Sequence, residues 1–277
     1  SSQLAAVLLW AFPTFTANRM QPLQLSLLQT DLIWENPEAN RQQIEAQLQA
    51  LPAGTHLIVL PEMFSTGFSM NPTQLAEGME GETVNWMKRV ASDKRCILTG
   101  SFMATEGDQY FNRLLWVLPN GQIGQYDKRH LFAFAGEDQH YTPRNKRLIA
   151  SVNGWRIHLQ ICYDLRFPVF SRNTENYDLL LYVANWPKPR INAWDALLKA
   201  RAIENMCYTI GVNRVGEDAN QLEYPGHSKA MDYLGNTIVD CEQELGVFIL
   251  ELDKNAQQEM RKKLNFLNDR DDFTIIS

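Results

Sequence analysis

The stretch WRIHLQICYDLRFP, residues 155–168, runs as an apolar strand and stops at Cys162, with Tyr163, Asp164, Arg166 and Pro168 directly behind it. A buried strand that ends in a reactive side chain suits an α/β fold, where ligands gather beyond the carboxyl ends of the strands. The neighbouring segments repeat the pattern. LQLSLLQTDLI (23–33), HLIVLPE (56–62), CILTGSF (96–102), NRLLWVLP (112–119), DLLLYVANWP (178–187) and CYTIGVNRV (207–215) read as strands. Between them, residues 37–51, 83–94 and 194–208 carry apolar residues at helical spacing. Asn36 is a natural N-cap ahead of Pro37, and NGQIG (120–124) reads as a turn. Neither repeat nor linker interrupts the series, so a single α/β domain is expected.

Composition narrows the function classes. With 277 residues, 45% apolar and 21% charged, the chain has the makings of a large core. A net charge of −6 and the absence of any dense Lys/Arg block argue against nucleic acid as a partner. The four cysteines, Cys96, Cys162, Cys207 and Cys241, form no CxxC pair. That is poor for a zinc site and sparse for a disulfide scaffold, so no metal and a reducing cytoplasm are expected. LAAVLLWAF (4–12) is too short to span a bilayer, and no Lys or Arg precedes it. Residues 1–20 are expected to be an upstream extension outside the fold, with a cleaved secretion signal as the alternative.

Several strand ends carry polar or reactive groups: Pro61-Glu62, Cys162 and Asn185-Trp186, with Tyr126-Asp127-Lys128 following the NGQIG turn. A carboxylate, a lysine and a thiol are the minimal parts for nucleophilic catalysis on a carbonyl. The carboxylate takes the thiol proton, the ammonium stabilises an oxyanion, and a deprotonated thiol attacks well. Histidine is the usual partner of a catalytic cysteine. His158 stands four residues back along the same strand, about 13 Å away, too far for proton transfer. His130 and His140 remain open as partners brought in by the fold.

The ordered set LPEMF (60–64), YDKRHLF (126–132) and ICYDLRFP (161–168) resembles the nitrilase superfamily of carbon–nitrogen hydrolases. Each motif alone is weak, but the ordered trio is specific, and the likeness continues through YVANWP (182–187) and RAIEN (201–205). The resemblance implies a carbon–nitrogen hydrolase domain over residues 21–277, folded as a four-layer α-β-β-α sandwich that pairs as a homodimer or larger homo-oligomer. It further implies a triad of Glu62 as general base, Lys128 as oxyanion donor with the backbone N–H of Tyr163, and Cys162 as the nucleophile that forms a thioester. Glu137 matches the second glutamate that usually follows the lysine in this family.

Tyr163-Asp164 after the cysteine is the amidase pattern, where nitrilases tend to carry Trp-Glu. Arg166, four residues past the nucleophile, has the planar fork needed to hold a substrate carboxylate. The competing role for Arg166 is an ion pair with Asp164 that shapes the loop. The motif combination is closest to the omega-amidase group, which hydrolyses 2-oxoglutaramate and 2-oxosuccinamate to keto acids and ammonia. Phe64, Phe132 and Trp186 are then expected to wall the pocket, with Asn185 beside them. No organic cofactor and no membrane partner are required, since base, nucleophile and electrophile are all side chains. The alternatives are an N-carbamoyl or aliphatic amide hydrolase with the same triad, and a non-catalytic binding homologue.

Overall fold

A computed structural model of the protein describes residues 20–276. The expected upstream extension, up to residue 19, lies outside the described residues. The amino half contains β1 (Leu23–Gln29), α1 (Pro37–Gln47), β2 (Leu57–Val59), α2 (Glu82–Lys94), β3 (Ile97–Glu106), β4 (Gln109–Val117) and β5 (Ile123–Asp127). The middle of the chain contributes β6 (Leu148–Val152), β7 (Trp155–Ile161), β8 (Leu179–Ala184), α3 (Ile191–Asn205) and β9 (Tyr208–Asn213). A short ribbon of β10 (Val215–Glu217) and β11 (Glu223–Pro225) precedes β12 (Lys229–Met231), β13 (Thr237–Asp240), β14 (Gly246–Leu252) and α4 (Lys254–Leu264).

These strands form two six-stranded sheets, in the orders β14-β1-β2-β3-β4-β5 and β13-β12-β9-β8-β7-β6. At the centre of each, three strands run parallel: β1, β2 and β3 in the first, β7, β8 and β9 in the second. Strand alternation explains the layering, because successive side chains point to opposite faces. In β2, Leu57 and Val59 join the core between the sheets, whereas Ile58 faces the α1/α2 side. The same division separates Leu114 and Trp116 from Leu115 and Val117 in β4. β2 and β8 are apolar on both faces, as expected of parallel strands covered on both sides, whereas β7 keeps Trp155, Ile157, Leu159 and Ile161 in the core between the sheets and turns Arg156, His158 and Gln160 to its other face. Helices α1 and α2 pack outside one sheet and α3 outside the other, completing an α-β-β-α sandwich.

Two local expectations shift. The helix expected over 37–51 ends at Gln47 and tightens into a 3-10 turn at Leu48–Ala50, with Asn36 accepting from Ala39 N–H as its cap. The NGQIG turn is shorter than expected, because Ile123 and Gly124 already belong to β5, paired with Val117 and Trp116. Gly100 matters for the site: a Cβ there would stand 2.8 Å from Leu60 Cβ and 2.9 Å from Phe64 Cδ1. Its absence lets the turn that carries Glu62 rest on β3.

Candidate active site

Glu62 and Cys162 leave the carboxyl ends of β2 and β7, one from each sheet, and Asn185 leaves the end of β8. Lys128 follows β5, its N–H donating to the Asn112 carbonyl at 3.0 Å. The sandwich brings these four strand ends to one edge, where Glu62, Lys128 and Glu137 are all at most 1% exposed.

The Lys128 ammonium sits between two carboxylates. Its Nζ donates to Glu62 Oε1 at 2.9 Å and to Glu137 Oε2 at 2.9 Å. Asn112 Nδ2 donates to the same pair, at 2.8 Å to Glu62 and 3.1 Å to Glu137. The remaining acceptor sites are filled by backbone: Asn185 N–H reaches Glu62 Oε2 at 2.8 Å, and Phe132 N–H reaches Glu137 Oε2 at 2.6 Å. Burial pulls the lysine pKa down, but the Glu137 and Glu62 charges more than reverse it, so the ammonium is held above its ordinary range. Burial raises Glu137. The group is thus a rigid buried ion cluster, with geometry and hydrogen bonds good enough to offset part of its desolvation cost.

Cys162 opens a 3-10 turn, Cys162–Arg166, with φ of +42°. A left-handed φ at a non-glycine residue is uncommon and costs conformational energy, which the surroundings must hold in place. Asp164 does that holding. Its buried carboxylate accepts from Ile161 N–H at 3.0 Å, Tyr126 O–H at 2.7 Å and His130 N–H at 3.1 Å. His130 Nδ1 lies 2.7 Å from the same carboxylate, and its ring stacks on Phe167 with centroids 3.8 Å apart. His130 is therefore committed to the loop and not to the thiol, while exposed His140 is not among the cavity-lining residues. Cys162 Sγ–H donates instead to the Asn185 carbonyl at 3.8 Å. Burial, and then the adjacent Glu62 charge, push the thiol well above its ordinary pKa. A thiol raised in this way needs a base to take its proton as the new bond forms.

Arg166 is exposed and packs over Trp186 at 5.2 Å, while the Asp164 carboxylate is taken up by the loop contacts above. The ion-pair alternative for Arg166 thus finds its acid already occupied. Cys162, Lys128, Tyr163, Arg166, Asn185, Trp186 and Phe132 all line one cavity of about 140 Å³. That lies below the few-hundred-Å³ range of drug-sized sites and suits a short substrate. Asn185, expected beside the substrate, also holds the Glu62 turn, since its side-chain amide donates to the Glu62 carbonyl. Phe64 is a correction: it is fully buried against Trp86, with centroids 5.8 Å apart, in the core outside the cavity. Its backbone turn points it back into the sheet–helix layer, and Phe68 supplies the expected aromatic wall.

Sequence reasoning missed Asn112, Arg190, Leu222 and Tyr224. Asn112 left a signal, a lone amide within the apolar YFNRLLWV strand, since buried amides must find partners. Leu222 and Tyr224 come from the β10–β11 ribbon, whose three-residue strands are too short to show a pattern. Among the described residues, no cluster of His, Cys, Asp and Glu is suited to a metal ion, and no helix is long and apolar enough to cross a membrane.

Comparisons with known proteins agree on one family. The profile of the carbon-nitrogen hydrolase family matches residues 24–262. The omega-amidase YafV of Yersinia enterocolitica is 42% identical over 93% of this chain and all of that protein. A 2-oxoglutaramate amidase of Bacillus subtilis is 29% identical, covering 88% of this chain and 96% of its own length. Among solved structures, the CN-hydrolase superfamily protein XC1258 of Xanthomonas campestris superposes with a TM-score of 0.91 at 42% identity, covering 92% of this chain and 100% of that one. That structure carries an arsenic adduct in its active site.

Proposed function

Because the chain belongs to the carbon–nitrogen hydrolase family, we propose that it is an omega-amidase, cleaving the terminal amide of 2-oxoglutaramate or 2-oxosuccinamate through a thioester on Cys162. The single observation behind this is the buried Glu62–Lys128–Glu137 cluster beside the Cys162 thiol, in a small cavity with an arginine at its mouth.

In this mechanism Glu62 takes the thiol proton as Cys162 Sγ attacks the amide carbonyl carbon. The carbonyl oxygen becomes an oxyanion, held by Lys128 and the Tyr163 N–H. Collapse of the tetrahedral species breaks the C–N bond, and the nitrogen leaves as ammonia with the proton from Glu62. A water then attacks the thioester, giving its proton to Glu62. The acid product leaves, and the proton returns to the thiolate. Glu137 is the second carboxylate on the Lys128 ammonium and keeps it charged and aimed. Arg166 takes the substrate carboxylate in its fork.

The test is ammonia release from 2-oxoglutaramate, with glutamine and an N-carbamoyl amino acid alongside. Release from the keto-acid amide well above the other two is expected. Activity confined to the N-carbamoyl compound would keep the triad and discard the omega-amidase assignment.

We further assign a homodimer in the cytoplasm. Supporting the first are Val169 and Phe273, 57% and 40% exposed, which border one surface groove with Arg172, Glu204 and Arg270. Supporting the second are four cysteines that are all unpaired and buried. Light scattering is expected to give twice the chain mass and cell fractionation a cytosolic enzyme; a single-chain mass or a membrane fraction removes the corresponding assignment.

A further inference from the structure

The Lys188–Arg190 turn after β8 carries two cations with different fates. Lys188 is exposed and paired with Glu223 at 2.5 Å. Arg190 is half-buried, and among the described residues no carboxylate lies in ion-pair range of it. Its guanidinium packs over Phe132 at 5.0 Å and Phe134 at 5.7 Å, and it borders the cavity that holds Cys162. The backbone beneath it is fixed from both sides: Arg190 N–H donates to the Pro187 carbonyl at 3.1 Å, and Trp186 Nε1–H donates to the Arg190 carbonyl at 2.7 Å. Trp186 also carries Arg166 on its ring. One indole therefore ties both guanidiniums to the rim of the same cavity.

Electrostatics gives this pair a task. Lys128 lines the cavity, and behind it two buried carboxylates surround its one ammonium, an excess of negative charge that opposes an anionic substrate. A single arginine at the mouth only cancels that excess; a second reverses it. Both guanidiniums are backed by aromatic faces, which orient them without neutralising them. Most of the remaining wall, including Phe68, Trp186 and Leu222, offers no competing anion.

Resting on the omega-amidase assignment, we infer that Arg190 is a specificity residue that shares the substrate carboxylate with Arg166 and selects keto-acid amides over neutral amides. Loss of one hydrogen-bonded cation facing a carboxylate corresponds to about a tenfold to hundredfold change.

Two measurements test it. In the first, kcat/KM is determined for 2-oxoglutaramate and for pentanamide, which has the same carbon count and no carboxylate. Arg190→Gln is expected to lower the ratio of the two at least tenfold, chiefly through KM, with Arg190→Lys intermediate and Lys188→Gln leaving the ratio as in the wild type. An equal loss on both substrates marks a packing role and overturns the inference, as does an unchanged ratio. In the second, 2-oxoglutarate is titrated calorimetrically into Cys162→Ala with and without Arg190→Gln. A tenfold or greater weakening is expected; undiminished affinity overturns the inference even in an active omega-amidase. A wild type that turns over pentanamide and not 2-oxoglutaramate defeats the omega-amidase assignment itself, a result distinct from either outcome for Arg190.

Discussion

Cys162→Ala is expected to lower kcat/KM on 2-oxoglutaramate by about 10⁴-fold or more, while the thermal midpoint stays within a few degrees of the wild type. The two halves of that expectation have separate causes. Removing Sγ removes the only thiol on the cavity, and the other three cysteines, at most 2% exposed, are absent from its lining. Water placed by the same cavity still meets the Glu62 base and the oxyanion donors, so a small residual rate over bulk water survives. Stability changes little because the thiol's hydrogen bond to the Asn185 carbonyl is long, at 3.8 Å, and alanine has the same backbone freedom as cysteine at a φ of +42°. Cys162→Ser is expected to be nearly as inactive, since a hydroxyl gives up its proton less readily than a thiol. The direct check is mass spectrometry of the quenched reaction, where the wild type shows the acyl adduct and neither variant does. More than about 1% of wild-type activity in Cys162→Ala would sink the thioester mechanism.

Lys128→Met is expected to abolish activity and to destabilise the fold by about 3–5 kcal/mol, the usual consequence of stripping the counter-ion from a buried charge. Glu62 and Glu137 are both fully buried and share this one ammonium. Without it, two like charges face each other across Asn112, and each is driven toward its protonated form. Glu137 already sits above its ordinary pKa because of burial, and losing Lys128 raises it further. A carboxyl whose folded-state pKa exceeds the unfolded value, about 4.3, contributes stability that is complete below that value and lost as pH rises through the folded pKa. The deficit of Lys128→Met is therefore smaller near about pH 5 than near about pH 8, readable from denaturant midpoints at the two pH values. Adding Glu137→Leu is expected to restore part of the stability and none of the activity, which separates the structural from the catalytic loss. A Lys128→Met protein that melts like the wild type at about pH 8 would show that the cluster is not ionised as described.

How much of the site was legible beforehand depends on how far apart its parts are in the chain. Cys162 and its followers announce themselves because a reactive residue terminates an apolar run within a dozen positions. Glu62 and Lys128 become visible only when three short motifs are taken together, in order. Asn112 carries only a faint local mark, an amide in an apolar strand, and Arg190 carries none, being the end of a basic turn whose first cation is an ordinary surface ion pair with Glu223. Phe64 misled for a related reason. Aromatic character is legible, but whether a ring five residues beyond a strand faces the cavity or the core is settled by backbone turns such as Met63, at a φ of +43°.

By itself, the sequence determined the alternation of strands and helices, the apolar runs of the buried strands, and the chemical parts present at the strand ends. Those properties are local, set by side-chain period and by residue type within a few positions. Only the tertiary structure decided which of those parts meet. Packing two six-stranded sheets face to face brings Glu62 and Asn185, 123 positions apart, within 2.8 Å, and seats Lys128 between two carboxylates 75 positions apart. Charge states follow from that meeting and not from composition, because burial and neighbouring charge act through space: the same lysine on the surface would be one solvated cation among many.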